Sequence, residues 1–328
     1  MLRIFSLDSG RMVCTTVDGP PRTDHELPSA LWYELLQPTA EERAFVNANA
    51  HVEVPARDDM EAIEVSSRLY SEDGGEYMTI TAVTGFDDPE GPRKTPVMFI
   101  LKGETLVTVR YDRIRPFENV VDRATRNGGV GQKGEPIMLS LVEALVDRLA
   151  DALEQIGDSV DALSRGVFGS KVGSSAAHRD LEETVQRVGL LGDRLGLVRE
   201  SLVSFTRLIG FHQGSDTVPV SPDAKGRIKT IQRDVAALAD HASYLGSKLA
   251  FVLDATLGLI NLEQSQIIKI FSIAAVCLMP PTLIASVYGM NFKHMPELDW
   301  PFGYPMALGA MLIAAIAPYL YFKKLGWL

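Results

Sequence analysis

The chain has 328 residues, 46% of them apolar, and a formal charge of −10. It is too long for one small domain and too polar to lie mostly within a bilayer. It is also too acidic to favour a nucleic-acid partner, and its two cysteines, Cys14 and Cys277, argue against a disulfide framework or a thiolate metal site.

The first residues lack a long apolar run and include Asp8, so no secretory signal is visible and the soluble part is expected in the cytoplasm. Residues 1–134 mix strand-like and helical patterns. β-Branched and aromatic content, punctuated by turn residues, predicts strands over 2–7, 31–35, 64–70, 77–83, 96–101 and 105–111. Thr39 followed three residues later by Glu42 has capping-box spacing and opens a helix over 40–49. A further helix is expected over 117–127. Gly129-Val130-Gly131-Gln132-Lys133-Gly134 fits a dinucleotide fingerprint in spacing, but it follows a helical pattern and no βαβ unit surrounds it. A flexible hinge is the expected use of these glycines.

Residues 135–224 read as an antiparallel helical hairpin. Val142, Val146, Leu149, Leu153, Ile156, Val160, Leu163 and Val167 alternate four and three residues apart, the seam of helices packed in long bundles. Beside that seam runs an acidic stripe, Glu143, Asp147, Asp151, Glu154, Asp158 and Asp161, read from its spacing as a solvated face. A Gly/Ser-rich turn over 166–175 leads to a second seam from Leu181 to Ile209, and a loop is expected over 210–225 from Gly214, Pro219 and Pro222. The stalk, 225–269, carries a third seam from Ile228 to Val252 and runs without a breaker into an apolar stretch. One helix over 225–291 is on the order of 100 Å long and needs neighbours to cover its seam.

Residues 270–292 contain no charge, and such a run crosses a ~30 Å hydrocarbon core at ~1.5 Å per residue. This is the first transmembrane helix. Asp254, Gly258, Asn261, Ser265, Ile268, Ser272, Ala275, Met279, Thr282, Ser286 and Gly289 share one face of the continuous helical pattern over 254–291, mostly small or polar. Such a face packs closely on another helix or lines a wet path. Pro280 and Pro281 remove two amide donors, leaving the carbonyls of Val276 and Cys277 without their usual partners, which favours the wet path. A short loop, 293–299, leads to a second uncharged run, 300–322, whose Gly309 and alanines at 307, 310, 314, 315 and 317 permit close packing. The tail, 323–328, carries Lys323 and Lys324, so both termini are expected on the cytoplasmic side. The fold class is α+β: an N-terminal α/β domain, a helical stalk and two C-terminal transmembrane helices. Two helices enclose no conduit, so a pore lined by Asn261, Ser265, Ser272, Ala275, Met279, Thr282 and Ser286 requires an oligomer.

Tyr288-Gly289-Met290-Asn291-Phe292, followed by Met295-Pro296-Glu297-Leu298, closely resembles the outer end of the first membrane helix in the CorA family of divalent-cation channels. The resemblance covers both membrane helices strongly and the stalk and N-terminal domain more weakly. Zinc-transporting relatives commonly differ in the tripeptide and the loop, so the chain looks more like the magnesium and cobalt branch. The resemblance implies a sheet sandwiched by helices, a homopentamer in the plasma (inner) membrane, and an acidic helix lying near that membrane. It implies a selectivity mouth at Gly289, Met290 and Asn291, with Glu297 and Asp299 in the outer loop concentrating cations. It also implies a hydrophobic gate at Ile268 and Phe271, although Phe271 is bulkier than the leucine common there.

In such proteins the aspartate matching Asp254 joins a neighbour's carboxylate in binding regulatory magnesium, and Asp87 or Asp88 is the expected partner here. The tail has fewer lysines than many relatives carry. Mg2+ is then the transported and regulatory ion, with Co2+, Ni2+ or Zn2+ as rivals, and no catalytic cofactor is expected. An enzyme is disfavoured, because there is no P-loop, no His-Glu-x-x-His and no Gly-x-Ser-x-Gly, and the six histidines are scattered. A membrane-anchored, non-conducting coiled coil explains the seams but not the polar face, the paired prolines or the tripeptide.

Overall fold

Leu2, Ile4, Tyr33 and Leu35 alternate with Arg3, Phe5, Trp32 and Glu34, and that period of two puts each set on its own face of a sheet. A computed structural model describes residues 1–8, 11–17, 30–62, 64–86, 88–127, 131–169, 175–291, 295–296 and 300–327. They fall into two units, Met1–Arg165 with Gln186–Phe251, and Gly166–Val185 with Val252–Leu328.

In the first unit the strands are β1 (Leu2–Asp8), β2 (Arg11–Val17), β3 (Ala30–Leu36), β4 (Leu69–Glu72), β5 (Gly75–Thr84), β6 (Arg93–Lys102) and β7 (Thr105–Arg110). They form one sheet in the order β2-β1-β3-β7-β6-β5-β4, in which only β3 and β7 run parallel. Helix α1 (Ala40–Ala50) follows β3, with short turns α2 (Arg57–Met60) and α3 (Val65–Arg68), and α4 (Arg115–Asn127) follows β7. The capping box at α1 is made in full: Thr39 Oγ1 accepts from the Glu42 amide, and Glu42 accepts from the Thr39 amide.

One core cluster joins Leu2, Ile4, Tyr33 and Leu35 to Phe45 and Val46 of α1 and to Met60. On the opposite face Trp32 stacks on Phe5 and donates to Thr108 Oγ1 at 2.9 Å, while Phe99 stacks on Phe117 of α4. Helices therefore cover both faces.

Two strand expectations change. β2 was not expected; it is an edge strand in which only Met12 is buried, so its sequence lacks apolar alternation, and pairing with β1 along its whole length defines it. The strand expected over 64–70 is a helical turn, α3, with β4 beginning only at Leu69, where it pairs with Met78 of β5.

Three long helices follow: α5 (Gly134–Gly169), α6 (Ser175–Gly214) and α7 (Pro222–Tyr288). Every α5 seam residue named from the sequence is buried, as are Val188, Leu191, Leu195, Val198, Leu202, Phe205 and Ile209 of α6 and Ile228, Ile231, Val235, Leu245 and Val252 of α7. The loop expected over 210–225 is shorter, because α6 continues to Gly214 and α7 begins at Pro222, where a proline suits a first helical turn.

The hinge expected before α5 is also revised. Gly134 donates its amide to Glu104 O at 2.7 Å, and a Cβ there would stand 2.7 Å from the Leu106 nitrogen. It is an anchor against the β6–β7 turn, a close approach only glycine permits. Residues 128–130 of the glycine stretch lie outside the described residues.

In the second unit, α8 (Gly303–Lys324) spans 22 residues, or roughly 33 Å at 1.5 Å per residue, enough to cross the hydrocarbon core. Helices α7 and α8 are both long and apolar enough to span a membrane. Trp300, Phe302 and Tyr304 stand at one end of α8, and Tyr319, Tyr321 and Trp327 at the other, as interfacial aromatic belts do.

Candidate functional site

How α7 turns determines what its membrane part presents. Ile273 is buried, and Cys277, Pro280, Pro281, Ile284 and Tyr288 are half-buried. At about 100° per residue these positions make a single stripe roughly 100° wide. On α8 the corresponding covered positions are Gly303, Ala307, Gly309, Met311, Ala314, Ala315, Pro318 and Phe322. Ala310 and Ala317, expected in the helix contact, are exposed instead.

The polar face lies on the other side of α7. Asp254, Gly258, Asn261, Ser265, Ile268, Ser272, Ala275, Met279, Thr282, Ser286 and Gly289 are all exposed within the chain. In the membrane span this face is flanked by exposed Leu278 on one side and Leu283 on the other. Its small residues therefore do not serve packing inside the hairpin.

Three of the four hydroxyls on this face share one orientation. Ser265, Thr282 and Ser286 each donate, at 2.8 Å, to the carbonyl four residues back, namely Asn261, Leu278 and Thr282. Donating inward uses the hydroxyl proton and leaves the oxygen lone pairs directed away from the helix as acceptors. Pro280 and Pro281 sit inside the helix without breaking it.

At the outer end the Gly289 amide bonds to Ala285 O at 2.9 Å and the Met290 amide to Val287 O at 3.3 Å, tightening the last turn. A Cβ on Gly289 would come within 3.2 Å of Ala285 O, so bulk there presses on that turn. Met290 and Asn291 follow, both exposed. Phe292, Glu297 and Asp299 lie outside the described residues. About six turns inward, Ile268 falls on the polar face and Phe271 at its edge, each strongly exposed.

Asp254, in the second unit, is exposed and makes no ion pair among the described residues. Asp88 belongs to the first unit, in the turn after β5. Gly85 shapes that turn at φ +78°, with the Asp88 amide bonded to Gly85 O and the Gly91 amide to Asp88 O. Asp88 Oδ2 accepts from Arg93 Nη1 at 2.9 Å, and Arg93 also reaches Asp112 Oδ1 at 3.3 Å. Asp87 lies outside the described residues. Among the described residues, no group of three or more His, Cys, Asp or Glu side chains is arranged to hold a metal ion.

Along α5 the acidic stripe is neutralised at its ends. Arg227 forks onto Glu143 at 2.9 and 2.7 Å, and Lys248 bonds to Asp161. Asp147, Asp151, Glu154 and Asp158 between them are exposed and form no ion pair among the described residues. Partial desolvation and the like charges of Glu143 and Asp151 push the Asp147 carboxyl up.

Two buried ionic clusters escaped the sequence analysis. His212 of α6 stands with Nδ1 2.6 Å from Glu76 of β5 and Nε2 3.2 Å from Glu135 of α5, and these carboxylates also accept from the amides of Val218 and Ser221. Burial opposes the imidazolium, but the bonds and charges of Glu76 and Glu135 outweigh it and raise its pKa above 6.5. The other cluster joins Arg3, Glu34, Arg110 and Glu118 across β1, β3, β7 and α4. A glutamate within the buried strand β5 and an arginine within β7 were the available signals, because charges in such strands demand partners.

The family model for CorA-like Mg2+ transporter protein matches residues 29–324. The magnesium transport protein CorA of Escherichia coli (strain K12) is 33% identical over 329 residues, with both chains covered completely. In fold, the chain is similar to the CorA magnesium transporter of Methanocaldococcus jannaschii, with a TM-score of 0.77 at 16% identity over 100% of this chain and 99% of that one. It is also similar to the cytoplasmic domain of ZntB from Vibrio parahaemolyticus RIMD 2210633, with a TM-score of 0.59 at 12% identity over 79% of this chain and 97% of that one. With the tripeptide Gly289-Met290-Asn291 closing a spanning helix whose polar face is exposed, and a family match over most of its length, the chain belongs to the CorA-like Mg2+ transporter family.

Proposed function

We propose that the chain is one subunit of an oligomeric channel, a homopentamer as the family resemblance implies, for passive uptake of hydrated Mg2+. The observation that carries this reading is the exposed polar face of α7, opposite the stripe covered within the chain. A face of small and hydroxyl residues is poorly suited to lipid, and copies arranged around an axis turn it onto a shared lumen.

The chemistry of that face suits a hydrated cation. Mg2+ dehydrates reluctantly and commonly keeps its waters, whose protons point outward and need acceptors. The lone pairs of Ser265, Thr282 and Ser286 and the amide oxygen of Asn291 are acceptors of that kind. Gly289, Met290 and Asn291 form the mouth in this proposal, and Glu297 and Asp299 raise the cation concentration outside it. Asn261, Ser265, Ser272, Ala275, Met279, Thr282 and Ser286 line the path, and Ile268 with Phe271 closes it by dewetting. A membrane potential worth ~2.3 kcal/mol per charge per 100 mV supplies ~4.6 kcal/mol for a divalent ion, so no catalytic step is required. The proposed location is the inner membrane with both termini cytoplasmic, since Lys323 and Lys324 occupy the last turn of α8. Intracellular metal at Asp254 with Asp87 or Asp88 of a neighbouring subunit stabilises the closed state.

A likeness in fold to both a CorA and a ZntB structure leaves Zn2+, Co2+ or Ni2+ as the rival cargo. The tripeptide and the identity to a magnesium transport protein favour Mg2+. The test is ion flux into proteoliposomes holding the purified chain, comparing wild type with Asn291→Ala and running Mg2+, Co2+, Ni2+ and Zn2+ in parallel. Magnesium flux that collapses in the variant supports the proposal. Zinc flux with little magnesium transfers the chain to the rival cargo, and no flux from a correctly assembled oligomer overturns conduction.

A further inference from the structure

Helix α8 has two unlike sides. Ala307, Ala314, Ala315 and Pro318 are among its covered positions. Leu312, Ile313, Ile316 and Leu320 lie at least about 120° round the helix from Pro318, and all four are large, apolar and exposed. In a spanning helix a bulky apolar track of that kind is the side offered to acyl chains.

That track ends in charge. Lys323 and Lys324 come five and six residues after Pro318, so they stand about 140° and 120° round from it and continue the apolar track rather than the covered stripe. Both are exposed, and neither makes an ion pair among the described residues, in a chain whose net charge is −10. The opposite end of the span, 300–304, has aromatic residues but no lysine or arginine.

A second observation, independent of charge, places an aromatic ring beside the lysines. Gly326, at φ +71°, closes α8 in a Schellman turn: the Trp327 amide donates to Phe322 O at 3.1 Å and the Gly326 amide to Lys323 O at 3.2 Å. The chain is folded back, and the Trp327 ring stacks on Phe322 with centroids 5.4 Å apart. The indole is thereby held against the turn that carries both lysines, yet it remains 50% exposed.

We propose that this end of α8 binds an anionic glycerophospholipid. Lys323 and Lys324 hold its phosphate, Leu312, Ile316 and Leu320 carry its acyl chains, and the Trp327 indole sits at the boundary between them. Ammonium groups near a bilayer surface attract anionic lipid, and lysine stems lie on apolar surface while their heads reach the phosphate level. An indole, apolar in body with one N–H donor, suits that boundary. The inference rests on α8 spanning the bilayer, and neither on conduction nor on the ion carried.

The test reads Trp327 in vesicles. Full-length protein is reconstituted in phosphatidylcholine containing a minor fraction of either phosphatidylglycerol or phosphatidylcholine brominated near the headgroup. Quenching of Trp327 is the difference between wild type and Trp327→Phe, which keeps a ring on Phe322. Brominated phosphatidylglycerol is expected to reach half-quenching at a mole fraction at least about fivefold lower than brominated phosphatidylcholine. Lys323→Gln combined with Lys324→Gln is expected to abolish that preference while leaving quenching by phosphatidylcholine unchanged. Equal quenching by the two lipids in wild type, as when carboxylates of a neighbouring subunit occupy the lysines, overturns the proposal, and so does a preference that survives the double substitution. Quenching by neither lipid overturns it too, and with it the placement of α8 in the bilayer.

Discussion

Ile273 and Thr282 stand on opposite sides of α7: nine residues at about 100° each turn the helix through two and a half revolutions. Ile273 is 5% exposed, whereas Thr282 is open and bonds only to the carbonyl of Leu278 within its own helix. An apolar residue is covered while a hydroxyl about 13.5 Å further along the helix, on its other side, is left uncovered. That arrangement is what the proposed oligomer, with further chains or water on the Thr282 side, accounts for.

Cysteine substitution tests it directly. In a background with Cys14 and Cys277 replaced, cysteines at Ala275, Thr282 and Ser286 in the reconstituted oligomer are expected to react with a charged thiol reagent at least about tenfold faster than cysteines at Ile273 and Ile284, because only a wet path generates thiolate. Equal rates would remove the argument for a lumen on this face.

At the proposed mouth, Asn291→Ala removes both the acceptor and the donors of the amide, and Mg2+ flux is expected to fall by about tenfold or more. Asn291→Gln retains the group on a longer stem and should restore part of the flux. Bulk at Gly289 acts differently: Gly289→Val presses on Ala285 O, and the expected result is loss of flux without recovery by a polar substitute.

Asp254→Ala is expected to relieve inhibition of uptake by internal Mg2+ while leaving conduction intact. Asp88 is bonded to Arg93, so a metal there competes with a guanidinium, and Arg93→Ala should strengthen metal inhibition. Inhibition that Asp254→Ala leaves unchanged would end the regulatory assignment.

The His212 cluster predicts a pH dependence of stability. Its raised pKa means that the folded form holds a proton the unfolded chain would release, so the added stability is complete below about pH 6.5 and is lost as pH rises through the elevated value. Melting curves of wild type should fall as pH rises through that raised value, and those of His212→Gln should not. Removing one partner of a buried pair typically costs about 3–5 kcal/mol, so the variant should melt lower at pH 6. Identical pH profiles for the two proteins would contradict a charged imidazole.

Glu34→Ala leaves Arg3 and the fully buried Arg110 without their shared carboxylate, and Glu118 is half exposed and a weaker substitute. A loss of about 3–5 kcal/mol in denaturant unfolding is expected. Arg110→Met, which removes charge while keeping bulk, should compensate part of that loss when combined with Glu34→Met.

Local rules carried much of the fold. The capping box at Thr39 and Glu42 depends on residues three apart, and the α5 seam on residues three and four apart, so both were legible and both are present. β2 was not, because an edge strand with a single buried residue leaves no periodic signal. The first transmembrane helix and its polar face were legible too, since charge-free length and helical period are properties of one segment.

What the sequence by itself determined is therefore whatever short-range spacing encodes: helix starts, the seams, the spanning lengths, the polar stripe and the family tripeptide. The tertiary structure alone decided which residues meet. Glu76 and His212 are 136 positions apart and Glu34 and Arg110 are 76 apart, so their pairing is a product of strand order and helix docking. It also decided which side of α7 is covered. A helix has no preferred side until a neighbour buries one, and here the covered side holds Ile273, leaving the hydroxyls of Thr282 and Ser286 exposed.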